Sequence, residues 1–154
     1  MATTLHNYLK VRGIDYEEVK HPREISMSRV AERAHIHGAK LAKAVLIKSD
    51  SGYRLAVVPS TCKVDLARLS SLMHERLGLA TEKEIEHRFV DCEMGALPPL
   101  GEPYGMKVFL DDQLSELPDV YFEAGDHKTL IHMSGQDFGR LMEGSERGRI
   151  SRQM

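Results

Sequence analysis

Two apolar runs joined by a very short turn constrain this chain more than any other feature. Lys40 to Ser60 reads "KLAKAVLIKSDSGYRLAVVPS". The "SDSG" turn is too short to hold a crossover helix, so the runs must pair antiparallel. A sheet seeded by such a hairpin is mixed or antiparallel, which argues against a doubly wound nucleotide fold. Strand alternation puts Lys43, Val45 and Ile47 on one face and Ala44, Leu46 and Lys48 on the other. Lys43 is thus an ammonium inside an apolar run. Either it is an edge charge without consequence, or it anchors a binding pocket.

Flanking patterns fill in the rest of the fold. Thr4 can cap a helix carrying Leu5, Tyr8 and Leu9, with Gly13 as its stop, and "DYEEVKH" follows as a strand closed by Pro22. Ser26 opens a helix with Met27, Val30, Ala31 and Ala34 on one stripe. Asp65 is a cap for a helix carrying Leu66, Leu69, Met73 and Leu77 and ending at Gly78. Thr81 and Glu84 form a capping-box signature ahead of Ile85 and Phe89. Residues 91–105 are loop; "MKVFLD", "DVYFEA" and "KTLIHM" are strands; Ser134 starts a closing helix with Phe138, Leu141 and Met142 inward. The expected organisation is one domain over residues 1–143 followed by a polar tail, 144–154, that frays. The class is α/β of the mixed, α+β-like kind.

The 154 residues suit a single core, and 42% hydrophobic with 29% charged residues is ordinary for a soluble globular chain. No run is long and apolar enough for a membrane span, and the N-terminus lacks a signal-peptide core, so a cytoplasmic protein is expected. Cys62 and Cys92 form no CxxC, which disfavours a disulfide framework or a cysteine zinc site. A net charge of −2 argues against holding DNA or RNA mainly by phosphate neutralisation. Arg29, Arg33, Lys40, Lys43 and Lys48 nonetheless gather positive charge in one stretch, which a solvated face also explains.

Common catalytic templates are missing: no Walker loop, no dinucleotide glycine fingerprint, no GxSxG and no HExxH. His35 and His37 make an HxH without a third ligand nearby, which a surface turn accounts for. No metal and no cofactor is expected. His132 lies inside a strand and reads as a group satisfied within the fold. Cys92 has no positive neighbour in sequence to lower its thiol pKa and reads as a packed small residue. Two loops carry more. "DCEMGALPPLGEPYG" combines prolines that stiffen with glycines that permit close backbone approach, although a tight chain reversal explains it equally. "AGDHK", Ala124 to Lys128, places His127 just after a glycine turn, where imidazole serves hydrogen bonding or proton transfer.

Taken in order, "LAKAVLIK", "FVDCEMGALPPLGEPYG" and "VYFEAGDHKTLIHMSGQDFGRLM" resemble the YbaK/EbsC family, which shares its fold with the inserted editing domain of bacterial prolyl-tRNA synthetases. The likeness runs from "HPREISMSRVAERA" through Met142. It implies a strongly curved, largely antiparallel sheet flanked by helices, and an aminoacyl-tRNA deacylase that hydrolyses the ester of mischarged tRNA in trans. By the same resemblance Lys43 lies in the pocket and helps hold the tRNA end, Gly95 and Ala96 line the amino-acid side with Leu97 and Pro98 beyond them, and Gly125, Asp126 and His127 form the GxH turn. Lys43, Gly95 and His127 are the catalytic candidates; Ala96, Leu97, Pro98, Gly125 and Asp126 are the substrate-binding ones. Ala44 stands where many members carry threonine, and "PPL" where many read "PPF".

An ester is already activated, so a positioned water suffices without a protein nucleophile, and main-chain N–H groups near Gly95 or Gly125 can stabilise the oxyanion. Lys43 would then be tolerated because its anionic partner arrives with the substrate. The expected partner is the acceptor end of a mischarged tRNA, with a synthetase as a second candidate, and the chain is expected to act as a monomer. Removal of a small amino acid such as alanine from tRNA for proline is the leading expectation, while serine, threonine or a non-proteinogenic side chain fits the same logic. The competing reading is a non-catalytic module that binds a tRNA end or nucleotide, and a third is an interaction domain whose loops are only structural.

Overall fold

The computed structural model describes residues 1–24 and 26–154; Ile25, within the "HPREIS" segment, lies outside the described residues. The helices are α1 (Thr3–Arg12), α2 (Met27–Arg33), α3 (Leu66–Met73), α4 (Glu82–Arg88) and α5 (Gly135–Leu141). The strands are β1 (Glu17–Lys20), β2 (Leu41–Ser49), β3 (Gly52–Pro59), β4 (Cys62–Val64), β5 (Leu77–Leu79) and β6 (Lys107–Asp111), followed by β7 (Asp119–Glu123), β8 (Thr129–Ser134), β9 (Glu146–Gly148) and β10 (Ser151–Gln153).

The main sheet runs β1-β8-β7-β2-β3-β6-β9, with β5 added to β2. The hairpins β2–β3 and β7–β8 are antiparallel, as their short turns require, and parallel pairings β2–β7, β3–β6 and β6–β9 join them into a mixed sheet. One face carries the large core, where Leu5 and Leu9 of α1 and Phe138 and Leu141 of α5 meet Ala42, Leu46, Leu55 and Phe122. The other face has two smaller cores. Val30 and Ala31 of α2 cover Leu41 and Leu130, whereas Leu69 of α3 covers Ile47, Ala56, Val58 and Phe109. Alternation assigns Lys43 to this second face, between Leu41 of the first core and Val45 and Ile47 of the other.

Local signals hold at most boundaries. Asp65 accepts the Arg68 N–H at 3.1 Å, the Thr81–Glu84 capping box is complete, and Gly13 closes α1 in the left-handed conformation. Three expectations are corrected. α1 begins at Thr3 with Ala2 as its cap, and the Thr4 N–H donates to Asp91 at 2.8 Å. α3 stops at Met73 because His74 turns left-handed, and Leu77–Leu79 instead pairs with Ile47–Ser49. The closing residues do not fray: β9 pairs with β6, β10 pairs with β4, and Ile150 is fully buried. The reason lies in Asp111, whose buried carboxylate accepts the Ile150 N–H at 3.0 Å and the Ser151 hydroxyl at 2.7 Å. A buried acceptor of this kind needs donors, and this segment supplies them.

Ile150→Ala should therefore cost about 2–5 kcal/mol, the range for a buried isoleucine truncated in a core. Urea unfolding measures it; a loss within about 0.5 kcal/mol, as at surface positions, would mean that this segment adds nothing to the core.

Candidate functional site

The site begins at one edge of β2. β3 occupies the opposite edge from Ala42 to Ser49, so β7 and β5 share what remains. β7 pairs only at Leu41 and Ala42, β5 begins at Ile47, and the Leu46 carbonyl accepts the Ala80 N–H at 3.1 Å. Among the described residues, 43–45 have no strand partner on that edge. By alternation the Ala44 peptide groups point into the opening, in the same direction as those of Ala42 and Leu46.

Lys43 is half-buried, and its ammonium donates to the Cys62 carbonyl at 2.6 Å. The expectation that its partner arrives only with substrate is thus corrected: the turn after β3 brings a main-chain acceptor within reach. Burial lowers the Lys43 pKa, because a neutral carbonyl does not replace the water lost around the charge. Most of the remaining positive stretch is neutralised: Lys48 pairs with Glu84, Lys40 with Asp119, and Arg33 with Glu24.

The two glycine loops meet. Gly125 (φ +99°) and His127 (φ +59°) are both left-handed, and Gly95 (φ +81°) sits against the His127 ring. A Cβ on Gly95 would lie 3.3 Å from His127 Cε1, and one on Gly125 would lie 2.9 Å from the Ala2 Cβ, so both positions require glycine. His127 is buried, with Nε2 hydrogen-bonded to the Met94 carbonyl. The Glu93 N–H donates to the Gly125 carbonyl at 2.8 Å, closing the clasp from the other side. The N–H groups of Gly95 and Gly125 donate to nothing among the described residues.

Asp126 shapes the turn. Its Oδ1 accepts the Lys128 and Thr129 N–H groups at 3.0 and 2.9 Å, and its Oδ2 accepts the Thr129 hydroxyl and the Met1 ammonium. Burial alone would raise its pKa, but these donors outweigh burial and hold it at about 2. Ala96, Leu97 and Pro98 are buried, with Leu97 in the main core, so they form a packed wall behind Gly95. A cavity of about 560 Å3 opens beyond this wall, lined by Pro99, Glu102, Met106 and Leu141 among others, and it borders none of Lys43, Gly95 and His127. Cys92 packs against Tyr104, and burial pushes its thiol up to about 12. His132 hydrogen-bonds Asp119 at 2.8 Å and stacks on Tyr121.

The structure thus joins Gly95 to the Gly125–His127 turn and sets Lys43 on the neighbouring strand. Two residues escaped the sequence reading. Glu123 ends β7 one residue past the last β2–β7 pair, and by alternation it lies on the sheet face that Tyr121 shares with Leu41. His21 precedes Pro22, with Nε2 3.8 Å from Glu123 Oε1. The signal for Glu123 was present only in the alternation, since Asp119, Tyr121 and Glu123 share one face of β7 while Val120 and Phe122 share the other.

Solved structures with the same architecture span nearly the whole chain. A proposed trans-editing enzyme for prolyl-tRNA synthetase superposes with a TM-score of 0.85 at 20% identity, covering 97% of this chain and 95% of its own. A hypothetical protein, APE2540, gives 0.86 at 16% identity, with 97% and 99% covered. A proposed signal transduction protein from Marinobacter aquaeolei VT8 gives 0.79 at 19% identity; 98% of this chain covers 31% of that longer one. These likenesses define the fold as that of a mixed α/β domain with an editing-domain architecture. Compared with curated proteins, the chain shows no match. The model of the aminoacyl-tRNA editing domain matches residues 21–141, and the chain belongs to that family. No helix among the described residues is long and apolar enough to cross a membrane.

The Asp126 geometry yields a pH test. A carboxylate held at about 2 when folded, against 3.8 for an ordinary aspartate, adds stability above the unfolded value and loses it as pH falls through the folded one. Asp126→Ala should cost about 1–2 kcal/mol at neutral pH, discounted for partial exposure. Thermal melts should show the two proteins converging as pH falls from about 4 to about 2; a gap independent of pH would mean that the carboxylate's donors contribute nothing.

Proposed function

We propose that this chain is an aminoacyl-tRNA deacylase acting in trans, which cleaves the ester of mischarged tRNA with a positioned water. The observation that carries the reading is the clasp of the Gly95 loop on His127, set beside the unpartnered edge of β2 that holds Lys43. Family membership supports ester cleavage on aminoacyl-tRNA as the reaction class. The structural likeness to a proposed trans-editing enzyme for prolyl-tRNA synthetase supports tRNA for proline as the substrate, and the family resemblance makes a small amino acid such as alanine the leading candidate for removal.

The chemistry asks little of the protein. With the Cys92 thiol at about 12, a cysteine nucleophile is disfavoured at neutral pH. The free N–H groups of Gly95 and Gly125 are the oxyanion donors, held in place by left-handed backbone that needs no reorganisation during the reaction. Lys43 exchanges the Cys62 carbonyl for an anionic oxygen of the terminal nucleotide, a partner that offsets the burial of its charge better than a neutral carbonyl does. The Ala44 peptide groups present further donors and acceptors along the same edge. Ala96, Leu97 and Pro98 form the wall that rejects larger side chains by overlap, because a packed loop cannot yield.

Hydrolysis of a panel of mischarged tRNAs tests the reading. Lys43→Ala and His127→Ala should each lower kcat/KM by about tenfold to a thousandfold, the scale of removing one charged or orienting group from a preorganised site, with circular dichroism unchanged. Turnover that survives both substitutions would remove these residues from the mechanism. Binding of a tRNA end with no turnover across the panel would instead establish the non-catalytic module.

A further inference from the structure

Buried side-chain polar atoms without a hydrogen bond gather at one place in the described residues. They are His21 Nε2, both carboxyl oxygens of Glu123 and His127 Nδ1, with Ser115 Oγ the remaining case. The Glu123 side chain is 1% exposed and that of His21 0%. An unpaired buried polar atom is costly because it has lost its water and gained nothing in return, so a group of them calls for a partner among themselves.

Hydrogen-bond chemistry supplies it. His21 Nδ1 lies 2.8 Å from the Pro22 carbonyl, which only accepts; Nδ1 therefore carries the proton and Nε2 presents a lone pair. That lone pair faces Glu123 Oε1 at 3.8 Å. Two lone pairs repel, whereas one proton on the carboxyl converts the contact into an O–H···N hydrogen bond after a small approach. The surroundings favour that proton. Glu93 and Asp126 bring negative charge from the two loops, which outweighs the opposing pull of the His127 backbone N–H beside the carboxyl. The ammonium of Lys43, carried on β2 one residue beyond the last β2–β7 pair, is turned to the Cys62 carbonyl, and the His127 and His21 rings complete the surroundings. Burial, then Asp126 and Glu93, push the Glu123 carboxyl up to about 8.

The segment that follows His21 lies across the glycine turn. The His21 N–H donates to the Lys128 carbonyl at 2.9 Å, the Glu24 N–H donates to the His127 carbonyl at 3.2 Å, and Arg23 pairs with Glu93. We propose that Glu123 and His21 share a single proton as a latch that holds this strap on the His127 turn, making Glu123 a positioning residue for the editing reaction. The catalytic consequence rests on the deacylase reading, whereas the latch does not. Loss of the proton to solvent leaves a carboxylate against an imidazole lone pair and loosens the strap. A glutamine in place of Glu123 donates an amide N–H to Nε2 at every pH and keeps the latch closed.

The test compares wild type with Glu123→Gln and Glu123→Ala. The ring 15N shifts of His21, followed by NMR, report whether Nε2 accepts a hydrogen bond, and deacylation is measured over the same pH range. In wild type the Nε2 signal should move with a midpoint near pH 8, and kcat relative to Glu123→Gln should fall by about threefold to tenfold between about pH 7 and pH 9. Glu123→Gln should hold its Nε2 signal constant, and Glu123→Ala should lose about tenfold in kcat at neutral pH, the cost of one hydrogen bond. Should Glu123→Ala fail to fold, the glutamine comparison stands alone. Identical pH courses of the His21 signal in wild type and Glu123→Gln would overturn the latch. A latch signal that behaves as expected in a protein that hydrolyses no ester would support the latch and end the deacylase reading instead.

Discussion

One strand has two edges and three partners, and the molecule is organised around that imbalance. β3 takes one edge of β2 along its length, so β7 and β5 must divide the other. Neither reaches the middle. A strand with unpaired peptide groups in its interior is costly unless water or a ligand satisfies them. The same interruption separates the two small cores on the second face, where Lys43 projects between the α2 cover and the α3 cover. A hairpin with an ordinary turn thereby leaves a gap in the strand pairing and puts a cation beside it.

The two glycine loops are rigid for local reasons. Gly95, Gly125 and His127 adopt left-handed backbone, and Asp126 spends both oxygens on holding its own turn. Residues 96–100 are buried as a continuous run, so the loop is anchored like core rather than tethered like a surface turn. Strain in such positions persists only where the neighbouring structure overdetermines it. Here the overdetermination comes from reciprocal contacts between the Met94 carbonyl and the His127 ring, and between the Glu93 N–H and the Gly125 carbonyl. Charge is handled in the same way. The cations near β2 mostly meet carboxylates of other elements, which leaves Lys43 distinct because its partner is a neutral carbonyl.

Much of this could be read from local pattern. Apolar alternation and turn length gave the β2–β3 and β7–β8 hairpins, and the residue types at Asp65, Thr81 and Gly13 gave helix ends, because those signals act over four residues or fewer. The helix drawn through Leu77 failed because a helical period and a short edge strand look alike over three residues, and the open edge of β2 decided between them. The tail failed for a related reason: its polar composition conceals one fully buried isoleucine, whose place depends on the carboxylate of Asp111 about forty positions away. Gly95 and His127 were legible as candidates but not as neighbours, and the Cys62 carbonyl, carrying no side-chain signal, was legible not at all.

The amino-acid order by itself determined the class of fold, the positions where glycine is indispensable, and the set of residues able to do chemistry, since short-range sterics and hydrophobic period are properties of neighbours in the chain. Tertiary structure alone decided which of those residues meet, which charges are spent on one another, and that Glu123 and His21 belong beside the turn. Pairing across a sheet depends on contacts between residues remote in sequence, and no local preference encodes them.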